Sequence, residues 1–102
     1  MAVELVKDAR ELILRLSGVV DVAEADALLR AAREATRGAP LAVVVDLQKV
    51  DRLDTSATQI LLALRGALAA SGRVLRIEST PPAVAELWRR AGLHERLTRP
   101  AL

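Results

Sequence analysis

Apolar residues in this chain fall into short runs separated by stretches where they recur every three or four positions, and that change of period sets the expected order of elements. Val3 to Val6 and Leu12 to Leu16 are short apolar-rich segments on either side of Lys7-Asp8-Ala9-Arg10-Glu11. They predict an opening β-hairpin with a polar turn, its second strand ending at Ser17-Gly18. Asp21 with Glu24 three positions later is a helix-start pattern, an acceptor side chain for free first-turn amides and an acid that answers it. The helix that follows presents Ala25, Leu28, Leu29, Ala32 and Ala35 on one face. Arg33 and Arg37 stand near its negative end, and Gly38 is the expected stop.

Leu41 to Val45 is a continuous apolar run closed by Asp46, the signature of a strand that is central in a sheet or covered on both faces. Residues 46–53, Asp-Leu-Gln-Lys-Val-Asp-Arg-Leu, are expected to form a loop. From about residue 57 to 70, Ala57, Ile60, Leu61, Leu64, Ala67 and Leu68 repeat at helical spacing, and Ser71-Gly72 ends the second helix. Arg73 to Glu78 predicts a further strand. Thr80-Pro81-Pro82 then opens a third helix, with Thr80 as cap, prolines where no amide partner is lost, and Val84, Leu87, Trp88 and Ala91 facing inward up to Gly92. The order is ββαβαβα, an α/β fold expected as one domain over residues 1–102, with 98–102 a loose tail. Its mixed sheet should combine the antiparallel hairpin with helix-linked parallel strands, packed with three or four helices.

Composition narrows the chemistry. Of 102 residues, 52% are apolar and Trp88 is the sole aromatic, so the core must be aliphatic. With no cysteine and with His94 as the single histidine, thiolate and imidazole metal sites are not expected, and neither is a disulfide or a cofactor. The net charge is only +2, the arginines are dispersed among acids, and no aromatic side chains are available to stack on bases, which argues against nucleic acid. No apolar run reaches the ~20 residues of a membrane span, and Met1-Ala2-Val3-Glu4 lacks a signal peptide's pattern. A cytoplasmic protein without membrane insertion is expected.

Catalytic signatures such as a G-x-S-x-G elbow or a glycine-rich phosphate loop are absent from the sequence. His94, in the polar segment Leu93-His94-Glu95-Arg96, reads as a solvated surface residue, and Trp88 as part of the core. The segment Asp46 to Gln59 stands out by position, since it joins the carboxyl end of the central strand to the start of a helix. Within it, Ser56-x-x-Gln59 is a capping-box pattern, while Asp51 and Asp54 suit a loop turn and the positive end of the helix dipole. The same helix start can accept a phosphate placed on an adjoining hydroxyl, and two added charges beside Asp51 and Asp54 would change what a partner accepts there.

Leu16-Ser17-Gly18-x-x-Asp21, Val43-Val44-Val45-Asp46-Leu47, Leu53-Asp54-Thr55-Ser56-Ala57, Gly72 to Ile77 and Trp88 to Leu97 together resemble the STAS family of sulfate-transporter and anti-sigma-factor-antagonist domains. In antagonists of that family, the residue directly after the loop aspartate is a serine or threonine phosphorylated by a partner kinase, and phosphorylation switches binding off. The resemblance therefore implies Thr55 as phosphoacceptor, with Ser56 the second choice. It implies a surface of Asp46, Asp51, Asp54, Thr55, Ser56, Thr58 and Gln59 for a protein partner, an anti-sigma factor or histidine-kinase-like ATPase. Antagonists usually carry Gly-Leu-Gly where this chain has Ala57-Thr58-Gln59, a stiffer helix start. Other STAS proteins are regulatory subunits of phospholipid-transport ATP-binding-cassette systems, docking on the ATPase, or accompany chemotaxis and two-component systems. In the transporter case Thr55 would be a contact. Self-association stays open, and a small hydrolase using Asp54 as base for Thr55 or Ser56 is the remaining alternative class.

Overall fold

The computed structural model describes residues 2–8, 10–37 and 42–99. Strands β1 (Val3–Lys7) and β2 (Glu11–Val20) form the opening hairpin, in which the Asp8 amide donates to the Glu11 carbonyl at 2.9 Å. After one 3-10 turn, Val22–Glu24, come helix α1 (Ala25–Arg37), strand β3 (Ala42–Leu53), helix α2 (Thr55–Ala70), strand β4 (Leu75–Glu78), and helices α3 (Pro82–Arg90) and α4 (His94–Thr98). The four strands stand in the order β1-β2-β3-β4, with β1 antiparallel to β2 and the others parallel. The ββαβαβα order and the interior place of β3 are as the periodicity indicated. Gly38 and Leu41, the expected stop of the first helix and start of the central strand, lie outside the described residues.

Two strands are longer than their apolar runs suggest. β2 continues through Ser17-Gly18 to Val20, and residues 46–53, expected as a loop, are the second half of β3. The reason is visible in the pairing, whose register slips between Arg15 and Ser17 and again between Gly18 and Val19. Bulges insert unpaired residues and bend the strand, so the buried positions Leu47, Val50 and Leu53 fall three apart instead of two. Gly18 has φ +68°, a left-handed conformation that lets β2 pass through the second irregularity without a Cβ penalty.

One face of the sheet builds the core. Leu12, Leu14 and Leu16 of β2, Val43, Val45 and Leu47 of β3, and Leu75 and Ile77 of β4 join Leu28, Ala32 and Ala35 of α1 and Ala57, Leu61, Leu64 and Leu68 of α2 in one cluster. The opposite face is charged, yet Val44 on it is only 2% exposed. Its cover is the Arg76 side chain: from β4 the guanidinium reaches Glu11 of β2 at 3.5 Å and so crosses β3. Its stem shields the valine while its charge stays in water.

The helix ends correct several expectations. Asp21 does cap the turn into α1, but it accepts from Ala23 at 3.0 Å and the reciprocal Glu24 bond is not made. In α2, Ala67 is exposed. In α3, Ala91 is exposed at the C-cap and Ala85 takes the buried place, while the N-cap is Pro81 and not Thr80. Thr98 closes α4 by donating to the His94 carbonyl at 2.7 Å, so the expected tail does not begin there, and residues 100–102 lie outside the described residues. Arg73, expected to begin a strand, is instead buried and donates to the Thr36 carbonyl at 3.2 Å, a cation at the negative end of α1. Among the described residues no helix is long and apolar enough to cross a membrane.

Ser79 holds φ +59° at the β4–α3 turn. That conformation costs a residue with a Cβ roughly 1–2 kcal/mol, partly offset by the entropy a glycine would lose on folding. Ser79→Gly is therefore expected to raise the unfolding free energy by roughly 0.5–1 kcal/mol. Parallel urea melts of the two chains check it.

Candidate functional site at the start of the second helix

The end of β3 delivers the chain directly into α2, and Asp54 is the residue between them. Its amide donates to the Val20 carbonyl at 3.1 Å, which ties the start of α2 to the end of β2. Its carboxylate, in extended backbone just outside the helix, accepts from the Ala57 amide at 3.0 Å and from the Ser56 hydroxyl at 2.7 Å. These two bonds, with the backbone amides of Ser56 and Val22 adding to them, hold the carboxyl below its ordinary range, the Ser56 hydroxyl contributing most. Asp54 is thus the cap that the sequence pattern assigned to Ser56, and the reciprocal Gln59 bond of a capping box is not formed. Short polar side chains compete for this role, and the acid two positions earlier reaches both the Ser56 hydroxyl and the Ala57 amide.

Three hydroxyls follow Asp54, and their surroundings differ. Thr58 is 3% exposed: its Oγ1 donates to the Asp54 carbonyl at 2.9 Å and accepts from the Trp88 indole N–H at 3.1 Å. It faces inward, so the structure takes it out of the expected partner surface and makes it the tie between α2 and α3. Ser56 is half-buried and committed to Asp54. Thr55, the first residue of α2, is exposed and makes no side-chain hydrogen bond among the described residues. Gln59, one turn on, is exposed, as is Asp51 near the end of β3.

Asp46 is not part of this group. Because residues 46–53 are strand, Asp46 stands roughly 20 Å from Leu53 along β3, at ~3.3 Å per residue. It accepts from the Gln48 amide at 3.0 Å and lies 3.8 Å from the Arg15 guanidinium, beside an open polar groove of about 730 Å³ lined by Glu4, Ser17 and Lys49 among others.

Next to Thr55 lies a smaller cleft, about 400 Å³, between the end of β3 and α3, lined by Arg52, Leu53, Asp54, Thr55, Ala83, Val84 and Leu87. Sequence reasoning missed it, since its walls come from segments some thirty positions apart and no local period marks them.

The family model described as "Mlab, STAS domain" matches residues 3–99. The chain belongs to this STAS family. Solved structures agree in fold with the STAS chain. An anti-sigma factor antagonist from Mycobacterium paratuberculosis is 23% identical with a TM-score of 0.81, over 95% of this chain and 81% of that one. The antagonist SpoIIAA in its unphosphorylated form is 19% identical with a TM-score of 0.80, over 91% and 83%, and the phosphorylated form of the Bacillus protein gives 0.76 at 19% identity over 90% and 85%. A sulfate transporter family protein from Wolinella succinogenes is 16% identical with a TM-score of 0.73, over 90% and 75%. No protein of curated function matches the sequence.

Proposed function

We propose that this STAS chain is a non-catalytic regulatory module of the cytoplasm that docks on a protein partner through the start of α2, and that phosphorylation of Thr55 switches the docking. The observation that carries the reading is the contrast among the three hydroxyls: Ser56 is held by Asp54, Thr58 is buried against Trp88, and Thr55 alone of the three is exposed and unbonded. A phosphate there sits at the positive end of α2, so the helix tolerates it, while the partner meets two new negative charges. That one structural relative, SpoIIAA, is known in unphosphorylated and phosphorylated forms supports the comparison. Asp54 is poorly suited to a hydrolase: a carboxylate held below its ordinary range by cap bonds is a weak base for either hydroxyl.

In the first reading the partner is a kinase of the anti-sigma type. A second is favoured by the family description, which names Mlab and not an antagonist, and by Ala57-Thr58-Gln59 at the helix start. There the chain is a regulatory subunit on the ATPase of a phospholipid-transport ATP-binding-cassette system, and Thr55 is a contact. Incubating the purified chain with radiolabelled ATP and an extract of its native host separates them. Label lost in Thr55→Ala and kept in Ser56→Ala is expected on the switching reading. Label that follows Ser56 moves the site by one residue, and no label in any chain, with a membrane ATPase recovered on the wild type, favours the transporter.

A further inference from the structure

We propose that the cleft beside Thr55 is an anchor pocket for one apolar side chain of the protein partner, and that the partner carries a carboxylate next to this anchor to pair with Arg52; the proposal rests on docking through the start of α2. The floor is apolar and already built, with Leu53 2% and Val84 1% exposed and Leu87 half-buried beside them. At about 400 Å³ the space lies at the small end of the range for binding clefts, enough for a leucine or a phenylalanine tip.

Charge at the mouth selects the neighbour of that tip. Asp54 lines the cleft as an ionised carboxylate, but its Oδ1 accepts from the Ser56 hydroxyl and the Ala57 amide and its charge faces the positive end of α2. Arg52 is exposed and makes no ion pair among the described residues. Of the two charges at the rim, Arg52 is the one without a partner among the described residues, and the complementary occupant is apolar with an adjoining acid to pair with it. Val22, whose backbone amide lies at the Asp54 carboxylate, is 74% exposed, the most exposed large apolar side chain described, and offers the partner a second apolar contact. Thr55 stands on the rim of the cleft. A phosphate on it would compete with the partner's carboxylate for Arg52, which explains how a modification that leaves the fold intact can release a partner.

The test uses methyl NMR of the full chain titrated with three capped, alanine-rich helical peptides: one bearing Leu and Glu a turn apart, its Leu→Ala analogue and its Glu→Lys analogue. Saturable shifts at the Leu53, Val84 and Leu87 methyls are expected with the Leu/Glu peptide, with binding at least about fivefold weaker for either analogue. In Arg52→Glu, whose spectrum also reports folding, the preference should pass to the lysine analogue. Shifts that are absent at those methyls, equal for the Leu and Ala peptides, or unaltered in preference by Arg52→Glu overturn the pocket. Overturned with Thr55 still labelled by host extract, the switch survives without the pocket; the pocket confirmed with Thr55 unlabelled leaves an anchor without the switch.

Discussion

Trp88→Ala should lower the unfolding free energy by about 3–5 kcal/mol, the usual cost of truncating a large buried aromatic. Trp88 is 0% exposed in a core otherwise built from aliphatic side chains, and no second aromatic is available to relax into the space. The indole also holds α3 to the start of α2 through its N–H, which donates to Thr58 Oγ1 at 3.1 Å. For a domain of this size the loss is a large share of a total that runs to about 5–15 kcal/mol. Trp88→Phe separates packing from bonding, because it keeps most of the ring and removes the donor. A double-mutant cycle of Trp88→Phe with Thr58→Val should return a coupling of about 0.5–1.5 kcal/mol. Urea melts followed by circular dichroism give these values, since removing Trp88 removes the only indole fluorophore.

Asp54→Ala should cost about 1–2 kcal/mol, toward the upper end for a lost helix cap, because the carboxylate serves the Ser56 hydroxyl as well as the Ala57 amide. The effect depends on pH with a definite sign. The folded chain holds the Asp54 carboxyl below its ordinary value, so the folded state favours the ionised form more than the unfolded state does. The resulting stabilisation is complete above the ordinary aspartate pKa of about 3.9 and fades as pH falls through the lower folded value. Asp54→Asn keeps an acceptor at the cap but has no such dependence, so the stability gap between wild type and Asp54→Asn should narrow on acidification, as read from melts over a pH series. A gap that widened would show that the carboxylate does not carry the cap. Loss of the carboxylate also frees the Ser56 hydroxyl, and Asp54→Ala is the variant in which Ser56 should begin to compete with Thr55 for phosphate.

Periodicity made much of this fold legible. The two short apolar-rich segments at the start became the hairpin, the three-and-four spacings of Leu28 to Ala35 and Ala57 to Leu68 became α1 and α2, and the unbroken run to Val45 became an interior strand. What stayed hidden was whatever depends on a partner segment. Residues 46–53 looked like a loop because bulges set Leu47, Val50 and Leu53 three apart, and a bulge is a property of two strands, not one. That single misreading moved Asp46 into a group with Thr55 from which roughly 20 Å of strand separates it. The cap fell to Asp54 instead of Ser56 because both residue types suit the role and only geometry chooses between them. Thr58 reads as one more hydroxyl at a helix start until Trp88, thirty positions away, is seen donating to it.

Photo-crosslinking in the native host tests most directly whether the start of α2 is the docking surface. A benzophenone side chain is placed in turn at Gln59, beside Thr55, and at Glu78, on the charged face of the sheet, both exposed positions. Docking through the start of α2 predicts a single protein adduct from position 59, diminished by Thr55→Glu, and none from position 78. An adduct that forms from position 78 and not from 59 would place the interface on the open sheet face and contradict Thr55 as the switch of docking.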